Sequence, residues 1–187
     1  MNMWKTVIII IIVLAIIVGI AVFTNKEVKA PTIETMNNDL KLTSSAFKHE
    51  GEIPSKYTCD GENINPPFEI SGIPENTQSL ALIIDDPDAT GGGTFDHWII
   101  WNINSEAEEI TEGKVPEGTL QGTNNFGNTE YGGPCPPEGN EPHRYMFKLY
   151  ALDTELNLEE GASKSNLEDV MGGHILAQTT LMGRYGR

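Results

Sequence analysis

Two short segments of the chain carry side chains that could bind a small anion. One is Asp86-Pro87-Asp88, which His97-Trp98 follows, and the other is Pro142-His143-Arg144-Tyr145. Imidazole and phenol groups supply N–H and O–H donors to an oxyanion, and an imidazole can gain charge near neutral pH. The carboxylate of Asp86 opposes a second negative charge. This chemistry favours a monoanionic phosphoester, or one that carries a cationic amine, over a dianion.

These polar residues lie at the ends of apolar runs, which span residues 79–84, 98–103 and 145–151. The link from Asp86 to His97 contains a proline and three glycines, which favour a turn. If the two flanking runs are antiparallel neighbours, Asp86 and His97 share one end of a sheet. Side chains alternate along a strand, so His143 and Tyr145 should face one side and Arg144 the other. Arg144 is then expected to pair with a carboxylate on its own side, with Asp88 as the candidate.

At these residues the chain resembles the phosphatidylethanolamine-binding protein family, in particular its bacterial and archaeal branch, the Raf kinase inhibitor-like proteins. The resemblance covers about residues 40–187. Four further segments carry it: residues 53–63, Asn65-Pro66-Pro67, residues 132–137 and His174-Ile175-Leu176-Ala177. The chain departs from the family pattern at Thr90, where the family usually has proline.

The resemblance implies a mainly β fold of the phosphatidylethanolamine-binding type, with two antiparallel sheets and a few short helices. It also implies a small pocket for a phosphate-like molecule or a phosphorylated head group. Carried over by position, the ligand-binding residues are Asp86, His97, His143 and Tyr145. The resemblance implies no catalytic residue, no metal and no cofactor. Relatives further suggest regulation of a kinase or a protease, and a homodimer.

Loop residues next to these segments are expected to support the pocket. They are Pro87, Asp88, Gly132, Gly133, Pro134 and Pro142. Successive backbone N–H groups at Gly132 and Gly133 could receive an anion. The alternative is that the long loop from residue 113 to residue 142 only covers an exposed sheet edge.

The same residues leave a second class of function open. Asp86 with His97 and His143 could form a two-histidine, one-carboxylate metal site in an enzyme that acts on phosphoesters. No His-Glu-x-x-His spacing supports this, and no Gly-x-Ser-x-Gly segment indicates a nucleophilic serine. We therefore expect a binding protein that is not an enzyme.

Length and charge restrict the classes further. The chain has 187 residues and a formal net charge of -15. Without its N-terminal segment it has the usual size of a single domain. A protein that binds phosphate backbones needs a basic face, so the charge argues against nucleic acid as a partner. The same charge argues against direct attraction to an anionic lipid surface.

The N-terminus predicts a membrane anchor. Residues 7–23 form an uninterrupted apolar stretch, which at ~1.5 Å per residue crosses most of a hydrocarbon core of ~30 Å. We therefore predict a single-pass anchor at residues 1–24, a polar tether at 25–39 and one domain at 40–187, located outside the cytoplasm. A cleaved signal peptide is the alternative, although the small-residue pattern Val28-Lys29-Ala30 is followed by Pro31.

Local patterns predict the elements of the domain. Strands are expected near residues 40–43, 79–84, 98–104, 145–152 and 179–185. A helix is expected to open at Ser165, capped with the help of Glu168, and a second short helical piece is expected at residues 174–178.

Cys59 and Cys135 are the only cysteines. A location outside the cytoplasm permits a disulfide between them, while relatives in reducing compartments carry the same segments, so free thiols stay an alternative.

Overall fold

The computed structural model describes residues 39–187. The anchor predicted at residues 1–24 lies outside the described residues, as does nearly all of the predicted tether at 25–39. Within residues 39–187, no helix has both the length and the apolar character needed to cross a membrane.

The described residues form two antiparallel sheets. The strands are β1 (Lys41–Thr43), β2 (Phe68–Ser71), β3 (Ser79–Asp86), β4 (Phe95–Asn104), β5 (Glu109–Ile110), β6 (Leu120–Gln121), β7 (His143–Leu152) and β8 (Ile175–Tyr185). The smaller sheet has the order β1-β2-β5, and the larger has the order β6-β4-β3-β7-β8. One α-helix, α1 (Lys164–Met171), and one 3-10 turn (Ser55–Tyr57) complete the described elements. The expected mainly β fold with two antiparallel sheets is confirmed.

The central strand β3 explains why the larger sheet is buried on both faces. All eight residues of Ser79–Asp86 are buried, as expected of a continuous apolar run rather than an alternating one. One face of the sheet packs on the smaller sheet, where the rings of Phe68 and Phe147 lie 5.4 Å apart. The other face packs on Leu167 and Met171 of α1. Complete burial of one Leu, Ile, Phe or Met side chain contributes about 1.5–3 kcal/mol to folding.

Two local predictions were wrong. The helix begins at Lys164 and not at Ser165, because Ser163 is the N-cap and exchanges capping hydrogen bonds with Asn166. The capping box therefore starts two residues before the predicted one and does not use Glu168. At the predicted helical piece, residues 174–178, the chain instead enters β8 at Ile175, and Ala177 pairs with Ala151 of β7. Cross-strand pairing outweighed the weak local helical pattern there.

Candidate anion-binding pocket

The structure brings the four predicted ligand-binding residues to one cavity. Asp86 ends β3, His97 lies near the start of β4, and His143 and Tyr145 begin β7. Because β3 lies between β4 and β7 in the larger sheet, these strand ends lie side by side at one end of the sheet. All four side chains line a cavity of about 370 Å³, and all four residues are buried. The cavity lies on the face of the sheet that packs on the smaller sheet.

A β-bulge aims His97 into the cavity. Ile84 pairs with Trp98 and Asp85 pairs with Asp96, so His97 is an extra residue without a partner on β3. In a regular strand, neighbouring side chains point to opposite faces of the sheet. At a bulge, two neighbouring side chains can point to the same face. Trp98 belongs to the core between the sheets, and His97 lines the cavity on the same side.

Asp86 connects the turn at Pro87 with the start of β7. Its Oδ2 accepts a hydrogen bond from Nδ1 of His143 over 2.8 Å, and both side chains are buried. An ionised carboxylate can only accept, so Nδ1 of His143 carries the proton. The other oxygen, Oδ1, accepts from the backbone N–H of Asp88 over 2.8 Å, which closes the turn around Pro87. Nε2 of His143 is then the ring nitrogen left for a ligand.

His97 is held by the loop segment that contains Gly132. Its Nδ1 donates to the carbonyl oxygen of Gly132 over 2.6 Å; because a carbonyl only accepts, this fixes the proton on Nδ1. Burial lowers the pKa of His97, although the Gly132 carbonyl and the charge of Asp86 oppose this shift. The ring is therefore neutral at neutral pH, with the lone pair on Nε2.

The hydroxyl of Tyr145 is an unused donor. The residue is fully buried, and among the described residues its hydroxyl has no hydrogen-bond partner. Burial, followed by the charge of Asp86, raises the pKa of Tyr145 well above its ordinary value, with the nearby backbone of Cys135 opposing. Its ring meets that of His97 edge to face, with the centroids 5.2 Å apart. The phenol is therefore protonated and can donate.

The predicted anion nest at Gly132 and Gly133 is wrong. The N–H of Gly132 donates to the carbonyl of His97 over 3.0 Å, and the N–H of Gly133 donates to Oδ1 of Asn63 over 2.8 Å. Both groups are already used by the protein. The glycines serve close packing instead: a Cβ on Gly133 would lie 2.4 Å from the carbonyl oxygen of Tyr57.

The remaining supporting residues lie around the cavity and do not line it. Asp88 faces away and forms a double hydrogen bond with Arg144, from Nε over 2.8 Å and from Nη2 over 2.7 Å. This is the pairing expected for Arg144, and it lowers the pKa of Asp88 to about 2. Pro142 borders a second cavity together with Arg184 and Arg187. Pro134 accepts a backbone hydrogen bond from Cys59.

The structure joins Cys59 and Cys135 in a disulfide, with the Cα atoms 5.4 Å apart. Cys135 lines the cavity next to Pro136 and Pro137. The bond ties this wall to the segment that follows the 3-10 turn. The long loop also covers a sheet edge, because its strand β6 pairs with β4. The loop therefore forms part of the cavity wall and also covers a sheet edge, but it supplies no backbone nest at Gly132 and Gly133.

Two aromatic side chains of the cavity were not predicted. Phe95 and Phe126 line it, with ring centroids 5.1 Å and 5.5 Å from that of His97. Phe95 lies two residues before His97 on β4, so alternation alone could have placed it on the same face. Phe126 lies in a loop, and no periodic pattern indicates it. Thr90, the departure from the family pattern, also lines the cavity.

The geometry gives no support to the metal-site alternative. Asp86 and His143 are hydrogen-bonded to each other. Within residues 39–187, no group of three or more His, Cys, Asp or Glu side chains is arranged to hold a metal ion.

Two antiparallel sheets that end in a buried pocket of two histidines, an aspartate and a tyrosine define a β-sheet protein of the phosphatidylethanolamine-binding type. The model of the family described as phosphatidylethanolamine-binding protein matches residues 43–186. The chain belongs to this family.

Relatives from bacteria and archaea agree with this assignment. A UPF0098 protein of Methanothermobacter thermautotrophicus is 48% identical over 153 residues, which is 79% of this chain and 99% of that protein. The crystal structure of a phosphatidylethanolamine-binding protein homologue from Chlamydia trachomatis is 41% identical, covers 80% of this chain and 99% of its own, and has a TM-score of 0.76. The structure of Escherichia coli YbcL is 30% identical, covers 79% and 98%, and has a TM-score of 0.75. The chain thus falls within the prokaryotic branch of the family.

Proposed function

We propose that the cavity binds a monoanionic phosphate group, carried by a phosphorylated head group or a small phosphoester, and that it does not catalyse a reaction. The observation that carries the proposal is the buried Tyr145 hydroxyl, which has no partner in the described protein. A buried polar group without a hydrogen bond costs roughly 1–3 kcal/mol. A ligand oxygen that accepts this hydrogen bond recovers that cost.

The two imidazoles restrict the charge of the ligand. Each uses Nδ1 for the protein, so each offers Nε2. The neutral ring of His97 accepts a proton at Nε2, either from a phosphate hydroxyl or from water. Asp86 disfavours a dianion, since like charges repel strongly at a buried site. A monoanion that brings or shares one proton fits these three groups.

This arrangement predicts how affinity depends on pH. Burial keeps the pKa of free His97 below its ordinary value of 6.5, and a bound anion favours the protonated ring. Binding is then coupled to proton uptake at any pH above the pKa of the free ring. Affinity should therefore strengthen as the pH falls through this range.

Two side chains of the cavity wall are unsuited to covalent catalysis. The sulfur of Cys135 lies in a disulfide and cannot act as a thiolate nucleophile. The phenol of Tyr145 is held protonated by its raised pKa. The groups that remain are suited to hydrogen bonding and charge compensation.

Calorimetric titration of the full chain with phosphoethanolamine and with inorganic phosphate, between about pH 5.5 and pH 7.5, tests the proposal. Two histidine variants are matched, because His143 and His174 each donate Nδ1 to an aspartate over 2.8 Å, but only His143 lines the cavity. His143→Gln should abolish most of the binding, and His174→Gln should leave it unchanged. Equal effects of the two variants, or affinity that rises with pH, would contradict the proposal. Elemental analysis of the purified protein tests the metal-site alternative.

The membrane anchor and the location of the domain outside the cytoplasm stay predictions. The same holds for regulation of a kinase or a protease, and for the homodimer.

A further inference from the structure

A cluster of four charged side chains lies behind the pocket, on the opposite face of the larger sheet. Nζ of Lys164 donates to Oδ2 of Asp85 over 2.9 Å and to Oδ1 of Asp96 over 2.7 Å. Nζ of Lys148 donates to Oδ2 of Asp85 over 2.7 Å. Asp85 is fully buried, and Lys164 is the first residue of α1. The cluster therefore links the helix to the ends of β3 and β4.

Both carboxylates of the cluster are chain neighbours of pocket residues. Asp85 precedes Asp86, and Asp96 precedes His97. Asp85 and Asp96 are also direct cross-strand partners, at the step where the bulge shifts the register by one residue. Like charges placed directly opposite each other destabilise strand pairing. This register therefore needs a cation between the two carboxylates.

Lys164 supplies that cation. Burial lowers its pKa, but hydrogen bonds to Asp96 and Asp85 and the charges of both carboxylates outweigh this, so the pKa lies above its ordinary value. Lys148 hydrogen-bonds only Asp85 of the pair. Oδ1 of Asp85 has no hydrogen-bond partner among the described residues. The compensation of this buried charge therefore depends on the two lysines at Oδ2.

The alternative register shows what the bridge prevents. Without the bulge, the pairing that starts with Ile84 and Trp98 would place His97 opposite Asp85 and Asp96 opposite Asp86. A shift by one residue moves side chains to the other face of the sheet. His97 would then leave the cavity, and a carboxylate would take its place next to Asp86.

We propose that Lys164 is a positioning residue for the anion pocket: its bridge between Asp85 and Asp96 stabilises the bulge that turns His97 into the cavity. Lys164 does not line the cavity and acts through His97. The inference rests on the proposed function for its consequence in binding, while its structural part concerns the His97 ring alone.

The test uses the full chain with three variants: Lys164→Met, Lys164→Arg and the control Lys56→Met. Lys56 also joins two distant segments, through an ion pair with Glu112, and lies outside the pocket. Nitrogen NMR of the imidazole rings reports which ring nitrogen of His97 carries the proton in the absence of ligand. Calorimetry with inorganic phosphate reports the affinity.

Lys164→Met should remove the fixed Nδ1–H form of His97 and weaken phosphate binding about tenfold. For comparison, removing a residue that orients a metal-ligating side chain typically weakens metal binding by about 10- to 100-fold. Lys164→Arg should retain both properties, because a guanidinium can still bridge two carboxylates. The control should retain both. A folded Lys164→Met protein with an unchanged His97 ring and unchanged affinity would overturn the inference.

A second variant covers the case in which Lys164→Met does not fold. Lys164→Gln keeps a polar side chain that can hydrogen-bond a carboxylate, but it removes the charge that lies between Asp85 and Asp96. It should produce the same change in the His97 ring, and an unchanged ring would overturn the inference. If the wild-type chain binds no phosphate, the proposed function fails, while the His97 ring still decides the role of Lys164.

Discussion

Replacing Tyr145 by phenylalanine should separate the stability of the domain from its binding. The substitution removes one oxygen atom, which is buried and lacks a hydrogen-bond partner among residues 39–187. A buried unsatisfied polar group costs roughly 1–3 kcal/mol, and the loss of one oxygen leaves only a small void. The free energy of unfolding of Tyr145→Phe should therefore be unchanged or higher by about 1 kcal/mol.

Binding should change in the opposite direction. A hydrogen bond to a charged group contributes about 1.5–3 kcal/mol, which corresponds to a loss of affinity of roughly 10- to 100-fold. Urea unfolding gives the stability, and calorimetry with phosphoethanolamine gives the dissociation constant. The loss should appear at every pH at which the wild-type chain binds, because the phenol stays protonated.

Tyr57→Phe is the matched control. The hydroxyl of Tyr57 donates to Oε2 of Glu112 over 2.6 Å, and Tyr57 does not line the cavity. This variant should lose stability and retain affinity, the reverse of Tyr145→Phe. If Tyr145→Phe binds phosphoethanolamine as tightly as the wild-type chain, the hydroxyl is not a ligand donor and the argument for the cavity fails.

Three further predictions concern the frame of the pocket. The Cys59–Cys135 disulfide closes a loop with a sequence separation of 76 residues. The double variant Cys59→Ala/Cys135→Ala should therefore lower the free energy of unfolding by about 4.5 kcal/mol in the chain-entropy estimate. Guanidinium unfolding measures this loss, and a loss below about 1 kcal/mol would contradict the prediction. Gly133→Ala should lower the free energy of unfolding by about 1–3 kcal/mol, because its Cβ would lie 2.4 Å from the Tyr57 carbonyl oxygen. The control Gly91→Ala has open space around the added atom and should change the free energy of unfolding by no more than about 0.5 kcal/mol. Thermal unfolding of the two variants tests the difference. The pKa of Asp88 is lowered from 3.8 to about 2 in the folded protein, mainly by its hydrogen bond with Arg144, so its stabilising contribution is complete above about pH 4 and disappears as the pH falls to about 2. The difference in urea midpoint between wild type and Asp88→Ala should therefore shrink over that range, and a constant difference would refute the assignment.

Much of the pocket follows from local sequence rules. The apolar runs locate β3, β4 and β7, and polar residues at their ends give Asp86, His97 and His143. Alternation along β7 separates Tyr145 from Arg144, and the structure places the first at the cavity and the second on Asp88. These inferences succeed because the period of a strand is a property of the backbone and needs no knowledge of its partners.

Other features depend on pairs of segments distant in sequence. The bulge at His97 exists only in the register of β4 against β3, and Phe126 reaches the cavity from a loop without periodicity. The N–H groups of Gly132 and Gly133 are occupied by His97 and Asn63, which no local pattern reveals.

The primary structure of this chain thus determined which strands end in donors and acceptors, and on which face of β7 they lie. Only the folded sheet decided that His97 faces the cavity, since a one-residue shift against β3 would have turned it to the other side. The physical reason is that strand period is local, whereas register is set by contacts such as those of Lys164 with Asp85 and Asp96, which join residues far apart in the chain.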